Sequence, residues 1–278
     1  MQTIPFWKMS GSGNDFIVID NRAKIIPFSG SELTNFVVQV CRHRLSVGSD
    51  GFILIEEDTE ADFGWQFYNS DGSRADMCGN GARCAARFAY MHQIADEKMT
   101  FRTDAGIISA EMNGDRVKVG MTTPTDVVRE AIFETSNGSF LYASIHTGVP
   151  HVVIPVKNLA DTDVDAIGRE IRYSEHFAPN GTNVNFITKV EDEISIRTYE
   201  RGVEGETLAC GTGSVAAALL FANAMGLHSP VKVRTQGGLL TIYFDETKNG
   251  FSNVYLEGDA RVIYMAEMTP DAWIYDDV

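Results

Sequence analysis

Apolar and polar residues alternate through Ile194-Ser195-Ile196-Arg197-Thr198-Tyr199 and Val231-Lys232-Val233-Arg234, the period of strands with one buried face. Apolar-rich runs at 16–19, 52–55, 65–68, 152–156 and 184–187 predict further strands. Helical spacing predicts helices over 32–43, capped by Ser31, and over 164–171. Two more helices, over 79–92 and 213–225, are alanine-rich. Ala82, Ala85, Ala86 and Ala89 mark the first, and Ala216, Ala217, Ala218 and Ala222 the second. Small residues over so much of a helix surface suit a helix deep inside a wrapping sheet, and Gly226 is a natural stop for the last one.

The same order of elements occurs twice. Gly13-Asn14-Asp15-Phe16-Ile17-Val18-Ile19 is matched by Gly148-Val149-Pro150-His151-Val152-Val153-Ile154, and Gly48-Ser49-Asp50 before Phe52-Ile53 by Gly181-Thr182-Asn183 before Phe186-Ile187. Tyr68-Asn69 is matched by Tyr199-Glu200 and Cys78 by Cys210, each about 130 residues further on. A period that long reads as two related domains rather than a solenoid. The expected boundary lies near Thr122-Thr123-Pro124-Thr125, giving an N-terminal domain of 1–122, to which 262–278 returns, and a C-terminal domain of 123–261. Each is expected to be α+β, a central helix wrapped by a predominantly antiparallel sheet, the two being pseudo-symmetric.

The 278 residues, 44% hydrophobic, suffice for two cores. A net charge of −15 argues against a nucleic-acid or anionic-membrane partner, either of which calls for a basic face. No apolar stretch approaches the ~20 residues of a membrane span, so the chain is expected to be soluble and cytosolic. Four cysteines are too few for a disulfide scaffold and are expected to remain thiols. Metal binding is not expected: the Cys78 to Cys84 spacing is unlike a zinc motif and no histidine pair accompanies it.

The chemistry is expected at Met77-Cys78-Gly79-Asn80-Gly81 and Ala209-Cys210-Gly211-Thr212-Gly213, each opening an alanine-rich helix. A thiol at a helix start lies beside unpaired N–H groups and the positive end of the helix dipole, which favours thiolate over thiol. The same N–H groups suit a carboxylate, and glycine lets the main chain approach it. Two such helix starts on one carboxylate would put a sulfur on each face of a carbon, serving proton removal and return. Cys41 and Cys84 read as packing residues. The halves diverge where an asymmetric ligand would require it: Asn69 is matched by Glu200, which Arg201 follows, and Asn14 by Val149, near His151. Glu200 is suited to neutralise an ammonium, His151 to take up or hold a proton near neutral pH, and Arg201 to pair with a distant carboxylate.

Together, Ser12-Gly13-Asn14-Asp15-Phe16, Asn69-Ser70-Asp71-Gly72-Ser73, Cys78-Gly79-Asn80-Gly81-Ala82-Arg83-Cys84, Tyr199-Glu200-Arg201-Gly202 and Glu206-Thr207-Leu208-Ala209-Cys210-Gly211-Thr212-Gly213 resemble the diaminopimelate epimerase family over essentially the whole chain. The resemblance implies an active site in the interdomain cleft, no cofactor, a small amino-acid substrate, a homodimer, and interconversion of LL- and meso-2,6-diaminopimelate on the route to lysine and peptidoglycan. It implies Cys78 and Cys210 as acid/base thiols, with Cys78 donating and Cys210 accepting a proton and the roles exchanging in reverse. His151 and Glu200 are implied to assist; Asn14, Asn69, Asn183, Glu200 and Arg201 are implied substrate contacts, with Gly79-Asn80 and Gly211-Thr212 at the helix starts. Gly51 stands where many relatives have Gln, Val149 where they have Asn, and the loop 202–206 is one residue longer than the shortest family version. Two alternatives stay open. Proline or hydroxyproline racemases also pair cysteines, though they tend to have His at the place of Asn80. A thiol redox sensor or binding protein would show no substrate-dependent exchange at Cα.

Overall fold

The computed structural model describes residues 3–136, 138–248 and 250–275, among which are seventeen strands and four α-helices. The chain divides into two units: Met1–Val119 with Asp259–Val278, and Gly120–Gly258. Residues 1, 2 and 276–278 of the first, including the end of the returning segment expected at 262–278, lie outside the described residues.

The first unit is built from β1 (Ile4–Gly11), β2 (Asn14–Asp20), α1 (Gly30–Cys41), β3 (Gly51–Glu56), β4 (Phe63–Asn69), α2 (Gly79–Met91), β5 (Lys98–Thr103), β6 (Gly106–Asn113) and β7 (Arg116–Gly120). The second contains β8 (Thr125–Thr135), β9 (Gly138–His146), β10 (Pro150–Pro155), α3 (Val164–Arg172), β11 (Asn183–Val190), β12 (Glu193–Glu200), β13 (Gly205–Thr207), α4 (Gly211–Phe221), β14 (Val231–Thr235), β15 (Gly238–Thr247) and β16 (Gly250–Asp259). A last strand, β17 (Arg261–Met268), pairs antiparallel with β1 and so belongs to the first unit.

Both units use the same local ladder. A parallel pair, β2 with β3 in one and β10 with β11 in the other, continues antiparallel into β4 and β12. Most other pairings are antiparallel, so the α+β expectation holds, with these pairs and the parallel β4–β5 and β12–β14 pairs as its mixed component. Helix α2 packs on β1, β2, β3 and β6, and α4 on β9, β10, β11, β12, β14 and β15. Ala82, Cys84, Ala85, Ala86 and Ala89 are buried on α2; on α4 burial runs unbroken from Gly213 to Leu219. A helix covered on all sides needs small side chains, because interiors pack at crystal-like density. Larger side chains fill the remaining space. Phe16, Phe52, Phe101 and Phe186 are each almost wholly buried, and each contributes about 1.5–3 kcal/mol by leaving water.

Three details differ from expectation. Helix α1 begins at Gly30 with Ser29 as N-cap, not Ser31, because the Glu32 and Leu33 amides already donate to the Ser29 carbonyl. Helix α4 begins at Gly211 and ends at Phe221. A 3-10 turn, Asn223–Met225, follows, and Gly226 adopts the left-handed conformation that closes it. The β8–β9 hairpin is not anticipated by the sequence pattern: Ala131, Phe133, Phe140 and Tyr142 face the core, but the opposite face keeps exposed apolar residues such as Ile132 and Leu141, which blurs the alternation in the sequence.

Candidate active site

In the first unit Cys78 is the N-cap of α2. Its extended backbone aims the sulfur back over the first turn, where it accepts from the Gly81 amide at 3.5 Å. A directed network supports this helix start. Arg83 is fully buried, and its guanidinium donates to Asn80 Oδ1 (2.9 Å), Ser12 Oγ (2.8 Å), the Gly79 carbonyl (3.1 Å) and the Asp259 carbonyl (3.1 Å). Because guanidinium only donates, Asn80 must accept there and donate from Nδ2, which it does to Asn14 Oδ1 at 2.6 Å. Asn14 in turn donates to Asp50 Oδ2 at 3.2 Å. Ser12 donates to Asp259 Oδ1 from both amide and hydroxyl. Asn69 is exposed and donates to Ser73 Oγ at 3.0 Å. Gly51 packs so closely that a Cβ would come within 2.8 Å of Phe67 and 3.1 Å of Phe16, which leaves no room for a longer side chain unless the rings move.

In the second unit Cys210 is the N-cap of α4, buried, with Sγ 3.5 Å from the Thr212 hydroxyl. Thr212 also lies 2.9 Å from His151 Nε2, and its carbonyl accepts from the Thr147 hydroxyl at 3.1 Å. On the ring's far side, Asn185 Nδ2 is 3.1 Å from His151 Nδ1. Asn183 donates to the Pro150 carbonyl and accepts from the Arg201 amide, which ties β10, β11 and the end of β12 together. The Arg201 guanidinium donates to the Asn180 carbonyl at 3.1 Å. Glu200, half-buried, accepts from the Thr207 hydroxyl at 2.8 Å. Burial raises its carboxyl above the usual range, and the Thr207 hydrogen bond partly opposes that.

His151 departs from expectation. It is 1% exposed, and burial, with His146 and Arg201 adding positive potential, pulls it down to about 3. At neutral pH the ring is neutral, so it holds a proton at one nitrogen rather than taking up a second. Cys41 and Cys84 are buried, and desolvation pushes each thiol up to about 12, as suits packing residues.

Each unit thus gathers its own share of the sequence-derived residues. Asn14, Asn80 and Cys78–Gly79 form one group; His151, Thr212 and Cys210–Gly211 form another, with Asn183, Glu200 and Arg201 on the β11 and β12 ends of the same unit. Asn69 is linked to neither network by these bonds. A separate cleft of about 520 Å³ in the first unit, bordered by Lys24, Glu56, Tyr68 and Arg74, contains none of them. Sequence reasoning missed Arg83, Ser12, Asp50 and Asp259 in one network and Asn185, Thr147 and Thr198 in the other. The available signal was a polar residue inside an otherwise apolar element, as with Asn185 between Val184 and Phe186 and Arg83 in an alanine-rich helix.

Comparison with known proteins adds a family. A family model described as diaminopimelate epimerase matches residues 6–127 and 143–263. The diaminopimelate epimerase of Aquifex aeolicus (strain VF5) is 45% identical over 281 residues, spanning 97% of this chain and 99% of its own length. That of Hydrogenobaculum sp. (strain Y04AAS1) is 47% identical over 270 residues, spanning 92% of this chain and 95% of its own. Among solved structures, a phenazine biosynthesis protein of the PhzF family from Bacillus anthracis superposes with a TM-score of 0.73 at 17% identity, covering 97% of this chain and all of its own, a likeness of fold.

Proposed function

The chain belongs to the diaminopimelate epimerase family, and from that premise we propose that it interconverts LL- and meso-2,6-diaminopimelate by proton transfer at Cα between Cys78 and Cys210. It is an isomerase acting on an amino acid. The observation that carries the two-thiol reading is the shared local geometry: each cysteine is an N-cap followed by Gly-x-Gly at the start of a buried helix.

One sulfur, as thiolate, takes the Cα proton; the C–H electron pair stays on carbon and spreads into the carboxylate. The other sulfur, as thiol, delivers a proton to the opposite face and is left as thiolate. One C–H bond breaks, one forms, and no net redox change occurs. The free N–H groups at Gly79-Asn80 and Gly211-Thr212 suit the carboxylate on which charge builds. A single base tends to return the proton to the face it left, whereas two sulfurs permit inversion without a cofactor. Asn14, Asn69, Asn183 and Arg201 are read as substrate contacts, and Glu200, partly shielded, as the partner of a substrate ammonium. The product would serve lysine and peptidoglycan synthesis in the cytoplasm. A homodimer is the assembly proposed, a reading supported by the exposed apolar side chains Ile263 and Met265 on β17.

The test is NMR of reduced protein with LL-2,6-diaminopimelate in deuterium oxide, with proline as control. Formation of the meso isomer deuterated at Cα, lost in Cys78→Ala and in Cys210→Ala, is the expected result. Exchange with proline alone would move the substrate to the racemases, and exchange with neither would defeat the proposal.

A further inference from the structure

The polar groups beneath Cys210 constrain the hydrogen positions of Asn185 and His151. Asn185 is 0% exposed, and its Nδ2 lies 2.8 Å from the Val152 carbonyl, which can only accept, while the Thr198 hydroxyl donates to Oδ1 at 2.9 Å. The amide is therefore fixed in orientation. Its remaining hydrogen points at His151 Nδ1, 3.1 Å away. That nitrogen must accept, so the single ring proton sits on Nε2 and is donated to Thr212 Oγ1 at 2.9 Å. Accepting from the ring leaves the Thr212 hydroxyl its own hydrogen to direct toward Cys210 Sγ, 3.5 Å away, whenever that sulfur is a thiolate.

We infer that Asn185 is a positioning residue for the epimerisation: it sets the His151 tautomer and, through Thr212, directs a hydrogen bond onto the Cys210 sulfur that favours its thiolate. The inference deepens the two-thiol reading above and rests on it. The relay belongs to the second half of the repeat, because the places of His151, Asn185 and Thr212 are taken in the first half by Phe16, Ile53 and Asn80. The main chain is shaped to admit it. A Cβ on Gly213 would come within 2.2 Å of Asn185 Oδ1, so that helix position must stay bare for the amide to fit.

Three readouts test the relay in the full chain. Ring-nitrogen NMR, with His151→Gln used for assignment, is expected to show the Nε2–H tautomer in the wild type and loss of that preference in Asn185→Leu. Alkylation of Cys210 by iodoacetamide, read by peptide mass spectrometry in a Cys78→Ala background, is expected to slow about tenfold in Asn185→Leu and Thr212→Val, with Thr212→Ser restoring it. In the epimerase assay Asn185→Leu is expected to lower kcat about tenfold with KM changed less than about twofold. An Nδ1–H tautomer in the wild type, or an unchanged tautomer and alkylation rate in Asn185→Leu, overturns the inference. If Asn185→Leu does not fold, the wild-type tautomer and the Thr212 pair decide. Full activity in Cys210→Ala would instead remove the two-thiol reading, while the NMR and alkylation results still judge the relay.

Discussion

Helices α2 and α4 begin alike and are supported in opposite ways. Under α2 lies the buried cation Arg83, at the place where α4 carries the buried Val215. A guanidinium only donates, so the bonds run outward from Arg83 to Asn80, from Asn80 to Asn14 and from Asn14 to Asp50. Under α4 the chain of groups starts at Asn185, passes through His151 and Thr212, and ends at Cys210. What the backbone supplies, a cysteine at the N-cap followed by first-turn N–H groups that have no partner within the helix, is common to both halves. What side chains supply differs: the first half orients amides, and the second polarises the sulfur itself. A duplicated scaffold can thus keep its helix starts and change their task by altering three or four buried side chains.

The comparison is tested most severely at the sulfurs. Cys78→Ala and Cys210→Ala are each expected to lower kcat by about a thousandfold or more in the isomerisation assay; a large residual rate in one alone would show that the halves do not share the chemistry. Arg83→Met removes the donor to four acceptors, two of them on the buried Ser12 and Asn80 side chains, and is expected to cost about 3–5 kcal/mol in urea denaturation, while a loss below about 1 kcal/mol would demote the network to ordinary packing. Glycine positions sharpen the contrast. Gly213→Ala forces Asn185 aside and is expected to cost about 2 kcal/mol, whereas at Gly81 a Cβ meets Ile53, Phe16 and Trp65 no closer than 3.4 Å and the same change should stay below about 1 kcal/mol. Equal losses would erase the distinction.

The pH dependence gives an effect of similar size. His151 is held at about 3 in the folded chain against about 6.5 unfolded, so the unfolded state binds the proton first. This group's stabilisation is complete above pH 6.5 and is lost as pH falls from there toward 3. From pH 7 to 5 the loss is about 2 kcal/mol. Denaturation of wild type and His151→Gln across that interval should give a steeper slope for the wild type; parallel curves would contradict a neutral buried ring.

Much of the fold was legible because it is written twice. Cys-Gly-x-Gly ahead of an alanine-rich run, with apolar strands in matching order, identifies both helices and the strands before them without reference to packing, but not the parallel pairing of β2 with β3 and β10 with β11. Helix α1 shows where such reading ends: Ser29 and Ser31 are equally good caps by residue type, and the turn closed by the Ser29 carbonyl decides between them. His151 was legible as a chemical group but not as a neutral one, since its ionisation depends on how completely neighbouring strands exclude water. Asn185 was legible only as a polar residue interrupting an apolar strand, not as a functional group. An asparagine in a strand ordinarily signals an exposed face, and only its bonds to Val152, Thr198 and His151 reveal why burying it is tolerable.

The placement of Asp259 bears on the order in which the molecule is assembled. The first unit is interrupted by the whole of the second and completed only by the segment from Asp259 onward. Its buried Arg83 therefore lacks one carbonyl acceptor, and Ser12 its carboxylate, until the segment that begins at Asp259 emerges from the ribosome. The second unit is contiguous and meets no such delay. The amino-terminal unit is consequently the later of the two to close, and a released chain that stopped just before residue 259 would hold every residue of the second unit but an unsealed first.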